Sequence, residues 1–94
     1  MALQEYATDI LGNKSVLRII KSLLRYKGKI FTIRELAAAS ELSHPEVSAL
    51  VKMLESRRIV SVKYVGRAHQ VSLNENSYFV KSIIEPLFLA EKTP

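Results

Sequence analysis

The chain has 94 residues, which is enough for one small domain and no more. Hydrophobic residues make up 48% of it, which argues against disorder, and the formal net charge of +5 favours a polyanionic partner, nucleic acid before a membrane. The absence of cysteine excludes disulfides and thiolate metal sites and is consistent with a reducing compartment.

The sequence carries no recognisable targeting or membrane signal. Residues 1–6 lack the basic and apolar regions of a signal peptide, and no apolar run approaches the length of a membrane span. We therefore expect a cytoplasmic protein without a membrane partner.

The first half of the chain is predicted to be mostly helical. Apolar residues at helical spacing predict a helix over residues 2–11, and Asn13 is a candidate N-cap for a second helix, which ends at Tyr26-Lys27-Gly28-Lys29. After the short extended piece Ile30-Phe31, the segment Thr32-Ile33-Arg34-Glu35 is a capping box. In such a box the Thr hydroxyl and the Glu carboxylate each accept a hydrogen bond from a backbone amide of the other residue. This pattern predicts a short third helix.

The same capping pattern recurs after a tight turn at Ser40-Glu41-Leu42. Ser43-His44-Pro45-Glu46 is a second capping box, and proline is tolerated there because first-turn amides have no acceptor within the helix. The helix that follows is predicted to place one apolar stripe toward the core, formed by Val47, Leu50, Val51 and Leu54.

From Ile59 the hydrophobic period changes to that of a strand. The alternation from Val60 to Tyr64 predicts a first strand, residues 65–68 a turn, and Gln70-Val71-Ser72-Leu73 a returning strand. Asn74-Glu75-Asn76 is predicted to cap a last helix over residues 76–89, which Pro86 kinks or ends.

The order of these elements predicts the fold class. Two helices joined by a turn of three or four residues are typical of the DNA-binding helix-turn-helix, and a β-hairpin directly after the second helix is typical of a wing. We therefore expect an α+β, mainly helical winged helix-turn-helix. It would form one DNA-binding domain over residues 1–94, with a core at about 13–74 and flanking helices at 2–11 and 76–89.

The central part of the chain resembles the winged-helix core of MarR- and ArsR-type transcription regulators. The segments that carry this resemblance are Phe31-Thr32-Ile33-Arg34-Glu35-Leu36-Ala37, Leu42-Ser43-His44-Pro45-Glu46-Val47-Ser48 and Leu50-Val51-Lys52-Met53-Leu54-Glu55. Archaeal winged helices, including those found beside nucleotidyltransferase domains, look closer still. The segments similar to them are Leu11-Gly12-Asn13-Lys14, Val65-Gly66-Arg67 and Leu73-Asn74-Glu75-Asn76-Ser77.

The resemblance covers roughly residues 11–88 and implies an archaeal or bacterial regulator of transcription that binds double-stranded DNA. Two departures matter. Such families usually have glycine after the recognition helix, where this chain has Arg57-Arg58, and the cysteine metal-sensing motif of some ArsR-type proteins is absent. Metal sensing is therefore not implied.

Helical geometry predicts which residues face DNA. Steps of about 100° per residue place Pro45, Ser48, Ala49 and Lys52 opposite the apolar stripe. There a serine can donate or accept, an alanine can touch a thymine methyl, and a lysine can reach guanine or phosphate. A merely solvated face is the alternative. The full set of predicted DNA-binding residues is Arg34, Ser43, His44, Pro45, Ser48, Ala49, Lys52, Lys63, Arg67 and His69.

The second helix carries a stripe of basic residues. Seven basic residues and no acidic one lie between Lys14 and Arg34. Four of them line one face of the second helix: Lys14, Arg18, Lys21 and Arg25. Such a stripe is usually a solvated face, and extra phosphate contact is the sharper alternative.

The terminal helices carry more apolar surface than a core-facing stripe needs, which predicts a homodimer. The predicted interface residues are Leu3, Tyr6, Ile10, Tyr78, Ile83, Ile84, Leu87 and Phe88. A chain folded back on itself is the alternative. His44 and His69 have no nucleophile partner or metal-ligand spacing, and no phosphate-binding glycine loop is present, so we expect no enzyme activity, cofactor or metal. The rival functions are a winged helix for protein–protein contact and an accessory domain of a nucleotidyltransferase system.

Overall fold

A computed structural model describes residues 12–26 and 28–86 of the chain. It contains the helices α1 (Lys14–Arg25), α2 (Ile33–Ser40) and α3 (His44–Ser56), and the strands β1 (Phe31–Thr32), β2 (Val60–Val65) and β3 (Ala68–Leu73). A final helical segment follows, with a π-helical centre at Val80–Ile84. The predicted order of these elements is confirmed, whereas the predicted helix over residues 2–11 lies outside the described residues.

Helix α1 begins where the sequence predicted, because Asn13 caps it. The side-chain oxygen of Asn13 accepts a hydrogen bond of 3.1 Å from the amide of Val16. One face of α1 is buried in the core, and the four basic residues of the stripe are exposed on the other. The helix is therefore amphipathic in the way its spacing predicted.

Helix α2 begins with the complete capping box. The Thr32 hydroxyl accepts from the amide of Glu35 at 3.1 Å, and the Glu35 carboxylate accepts from the amide of Thr32 at 2.9 Å. Hydrogen bonds that the Glu35 carboxylate accepts from Thr32, chiefly the one from the backbone amide, lower the pKa of Glu35. Because Thr32 is also the last residue of β1, the box joins the strand to the helix.

Helix α3 begins with only half of the predicted box. The Ser43 hydroxyl accepts from the amide of Glu46 at 3.3 Å, as expected. The Glu46 carboxylate, however, accepts a 3.1 Å hydrogen bond from the hydroxyl of Ser15, at the start of α1. The prediction of a reciprocal box is therefore wrong here, because a hydroxyl on a neighbouring helix takes the carboxylate.

Both α2 and α3 end with a residue in the left-handed region, which usually favours glycine. Glu41 follows α2 with φ of 58°, and Arg58 follows α3 with φ of 61°. In each case this residue and the next donate their amides to carbonyls three and five residues earlier, the pairing of a Schellman motif. Arg58 thus holds the position that glycine usually takes, at a cost of about 1–2 kcal/mol.

The sheet is antiparallel with the strand order β1-β3-β2. The predicted turn over residues 65–68 is confirmed: Val65 pairs with Ala68, so Gly66 and Arg67 form its centre. Gly66 has φ of 61°, which lets a two-residue turn follow the twist of the paired strands. Strand β3 consequently begins at Ala68 and not at the predicted Gln70.

The core lies between the three helices and the inner face of the sheet, and its residues come from every element and from the loops. It comprises Val16, Ile19, Ile20, Leu23, Phe31, Ile33, Leu36, Ala37, Val47, Val51, Leu54, Ile59, Val60, Val71, Phe79, Val80 and Ile84. Two buried polar residues, Ser22 and Ser40, hydrogen-bond each other at 3.2 Å and so join α1 to the end of α2. The last helical segment is part of this core through Phe79, Val80 and Ile84.

That last segment differs from its prediction in its cap and in its pitch. Ser77 caps it by accepting from the amide of Val80, while Asn74 donates its side-chain amide to the carbonyl of Arg58 at 2.8 Å. The amide of Glu85 donates to the carbonyl five residues earlier, as in a π-helix. Pro86 follows, and a proline ring crowds the carbonyl four residues before it in an α-helix, so we attribute the wider turn to this proline.

The predicted interface residues of this segment have different environments. Tyr78 is 83% exposed and Ile83 is half-buried. Ile84 is 0% exposed, because its side chain packs into the core of its own domain. The prediction that Ile84 lies at a dimer interface is therefore wrong. Leu3, Tyr6, Ile10, Leu87 and Phe88 lie outside the described residues. Over residues 12–26 and 28–86, no helix is long and apolar enough to span a membrane.

Candidate nucleic-acid interface

Helix α3 is joined to α2 by only three residues, 41–43, and one of its faces is fixed against the core. Val47, Val51 and Leu54 are buried, and Leu50 is half-buried and packs against the same cluster. The predicted inner stripe of α3 is thus confirmed. The opposite face of the helix is left open to a partner.

The open face of α3 is made of small side chains and one cation. Pro45, Ala49 and Lys52 are exposed, whereas Ser48 is half-buried. Small residues let a surface approach the helix closely, and the lysine ammonium can donate to a base or to a phosphate. The first turn adds His44, whose side chain is exposed.

Two further predicted residues lie at the starts of helices. Ser43 is exposed, but its hydroxyl oxygen already accepts from the amide of Glu46, so it is left to act chiefly as a donor. Arg34 is exposed in the first turn of α2. Its guanidinium can donate to an anion.

The hairpin of β2 and β3 carries the remaining predicted residues, and it separates them. Lys63 pairs with Gln70, and both belong to one face of the sheet. Arg67 is exposed at the turn. His69 lies on the other face and is half-buried, with its ring edge-on to the ring of Tyr64 at 4.7 Å between centroids.

Tyr64 connects the hairpin to α3, a contact that the sequence did not reveal. Its hydroxyl donates a 3.1 Å hydrogen bond to a carboxylate oxygen of Glu55, in the last turn of α3. This bond raises the pKa of Tyr64, so the hydroxyl keeps its proton well above neutral pH. The only sequence signal was the strand alternation, which placed Tyr64 on the same face as Val60.

The amino ends of α1 and α3 meet through the Ser15–Glu46 hydrogen bond. This contact brings Lys14, the first residue of the basic stripe, to the same end of the domain as His44. Among the residues that the structure describes, no group of three or more His, Asp or Glu side chains could hold a metal ion.

Taken together, these elements define the fold as a winged helix-turn-helix: α2 and α3 form the helix-turn-helix, and the β2–β3 hairpin is the wing. Several solved structures share it. One is the AntR antimony-specific transcriptional repressor, which is 23% identical with a TM-score of 0.71, over 95% of this chain and 79% of that one. Another is a MarR family transcriptional regulator from Silicibacter pomeroyi, 23% identical with a TM-score of 0.67, over 93% of this chain and 57% of that one.

A third match is the homodimeric winged helix-turn-helix DNA-binding domain of Mb0332 from Mycobacterium bovis, described as a possible ArsR-family regulator. It is 16% identical with a TM-score of 0.66, over 99% of this chain and 86% of that chain. A scan against protein-family models and a search of curated proteins find no match. The predicted fold is therefore confirmed, as is its likeness to structures of MarR and ArsR regulators. The closer likeness to archaeal winged helices stays a prediction.

Proposed function

We propose that this chain is a regulator of transcription that binds double-stranded DNA with sequence specificity and has no catalytic activity. The observation that carries the proposal is the open face of α3, which stands free beside a hairpin with Arg67 at its tip. The formal net charge of +5 supports a polyanionic partner. The matched structures support it further, because they are described as transcriptional regulators.

Helix α3 would lie in the major groove. Its amino-terminal half would face the base edges, with Ser48 donating or accepting, Ala49 against a thymine methyl, and Lys52 reaching guanine or phosphate. Because Ser48 is half-buried, we expect Ala49 and Lys52 to contribute more of the readout. The exposed His44 and Pro45 would complete the contact at the start of the helix.

The other cationic residues would bind the DNA backbone. Arg67 at the wing tip suits a phosphate or a narrow minor groove. Lys63 lies on strand β2 of the same hairpin. Arg34 and the Ser43 hydroxyl would donate to phosphates beside the major groove. His69 is half-buried, and its ring lies edge-on to the ring of Tyr64.

The protein would act in the cytoplasm as a homodimer in which residues 1–94 form one domain. The Mb0332 domain is described as homodimeric, and Tyr78 is 83% exposed here. A two-fold dimer would present two copies of α3 to half-sites about one helical turn apart. Its operator would then be palindromic, and occupying a promoter would block or reposition polymerase.

Selection of bound sequences from random duplex DNA tests the proposal directly. We expect an enriched palindrome and a logarithm of affinity that falls linearly with the logarithm of salt concentration, since phosphate contacts release counterions. Lys52→Ala should cost about 1–3 kcal/mol of binding and relax preference at one position. Lys81→Ala removes the same charge from the last helical segment and serves as the matched control. A chain that enriches no sequence and binds without salt dependence is not a DNA-binding regulator.

A further inference from the structure

The side chains on the inner face of the wing become less buried toward its tip. On the inner face of β2, Val60 is 2% exposed, Val62 is half-buried, and Tyr64 is 57% exposed. Val65, the next residue, is also exposed. The turn beyond has only two central residues, so Arg67 lies three residues past the last side chain on that face. Hydrophobic packing therefore stabilises the base of the hairpin but does not extend to its tip.

The side chain of Tyr64 joins the outer part of the wing to α3. The Tyr64 hydroxyl donates to Glu55 at 3.1 Å, and the Tyr64 ring meets the His69 ring at 4.7 Å between centroids, with an interplanar angle of 74°. Since Tyr64 and His69 are directly paired across β2 and β3, this one ring connects both strands of the hairpin to the last turn of α3.

The charge of Glu55 supports a role toward the wing. A carboxylate on a helix that approaches DNA repels phosphates, so it cannot serve as a phosphate contact. Its last-turn position is also unfavourable with respect to the helix dipole. At this position the Glu55 carboxylate accepts the hydrogen bond of the Tyr64 hydroxyl, which offsets part of that cost.

We propose that Tyr64, held by Glu55, is a positioning residue that fixes the angle between the wing and α3 and so aims Arg67 at the DNA. The expected effect on DNA affinity rests on the proposed function. The role of the hydrogen bond in orienting the wing relative to α3 rests only on the geometry. A wing held in place loses less conformational freedom on binding, so the Arg67 contact is formed at lower entropic cost.

The first experiment needs no DNA. Backbone amide order parameters from NMR relaxation of the full chain should be near the rigid value of about 0.85 over residues 63–70, and Tyr64→Phe should lower them toward the flexible range below about 0.6. Phenylalanine keeps the ring contact with His69 and removes only the hydroxyl. Tyr26→Phe removes a tyrosine hydroxyl outside the wing and is the matched control, with order parameters close to those of the wild type. Unchanged order parameters in Tyr64→Phe overturn the proposal.

The second experiment is a double-mutant cycle on DNA affinity, using the duplex selected by the wild type. We expect Tyr64→Phe to weaken binding by about 2- to 10-fold, the range of one hydrogen bond, and to have almost no effect when Arg67→Ala is already present. Equal losses in both backgrounds mean that Tyr64 does not act through the wing tip, which overturns the positioning role and leaves the DNA-binding function standing. A wild type that selects no duplex overturns the function, while the order parameters still decide whether the hydrogen bond holds the wing.

Discussion

Helices α2 and α3 start with the same sequence pattern, a hydroxyl residue followed three positions later by glutamate, yet only one of them closes the reciprocal box. Thr32 and Glu35 bind each other's amides, whereas Glu46 accepts from Ser15 across 31 residues of sequence. The amino end of α2 is thus secured locally, and that of α3 partly through α1. A capping pattern predicts where a helix begins, but a competing donor decides what the glutamate binds.

Removal of the two cap hydroxyls should have the largest effect on stability, and the effect should differ between α2 and α3. Thr32→Ala should lower the free energy of unfolding by about 1–2 kcal/mol, and Ser43→Ala by about 0.5–1 kcal/mol, both within the range measured for N-caps. The ranking follows from the shorter hydrogen bond of Thr32, 3.1 Å against 3.3 Å for Ser43, and from its place at the end of β1. Urea denaturation followed by circular dichroism measures both values. Equal losses would mean that the two caps are equivalent despite their different partners.

The ends of the same two helices offer the next test. Glu41→Gly should raise the free energy of unfolding by about 0.5–1 kcal/mol, because glycine adopts the left-handed conformation at φ of 58° without strain. The gain is smaller than the full strain energy because glycine also increases the entropy of the unfolded chain. Glu41→Gln keeps the strained backbone and removes the charge, so it should be nearly neutral. A gain of similar size in both variants would assign the effect to charge and not to the backbone.

What the sequence could predict follows from the range of each interaction. The starts of α1, α2 and α3, the inner stripe of α3 and the wing depend on neighbours a few residues apart, and these predictions are confirmed. The predicted cap of the last segment is not, because Ser77 takes that place. The Ser15–Glu46 contact and the Tyr64–Glu55 bond join separate elements, so no local pattern signals them. Ile84 was wrongly assigned to an interface, because an apolar stripe on a helix can pack against its own domain or against a partner, and the sequence does not distinguish the two.

The candidate site was predictable to a similar degree. Helical spacing placed Ala49 and Lys52 on the open face of α3, where the structure has them. It did not separate His69 from Arg67, because burial of His69 depends on the ring of Tyr64 on the paired strand. The turn over residues 65–68 was predicted correctly, but the returning strand was predicted to begin at Gln70, so the pairing of His69 with Tyr64 was missed.

The link between α1 and α3 should be weaker than either cap. A double-mutant cycle of Ser15→Ala and Glu46→Ala should give a coupling of about 0.5 kcal/mol, since the hydrogen bond is solvent-exposed. The same cycle with Thr32→Ala in place of Ser15→Ala is the control and should give no coupling with Glu46→Ala. Unfolding free energies of the single and double variants decide it. A zero value for the first pair would show that the contact adds nothing to the assembly of the two helices.

The smallest expected effect is the pH dependence of the closed box. Hydrogen bonds from the Thr32 backbone and hydroxyl lower the pKa of Glu35 in the folded chain below its value in the unfolded chain. The unfolded chain therefore binds a proton first as pH falls, so the box stabilises the fold above the unfolded pKa and loses this contribution as pH falls through the folded pKa. In Glu35→Gln the side chain still offers an acceptor oxygen but has no proton to gain. The difference in unfolding free energy between the wild type and Glu35→Gln should accordingly shrink as the solution is acidified from neutral pH. Parallel curves across the acidic range would show that the carboxylate charge contributes nothing to the cap of α2.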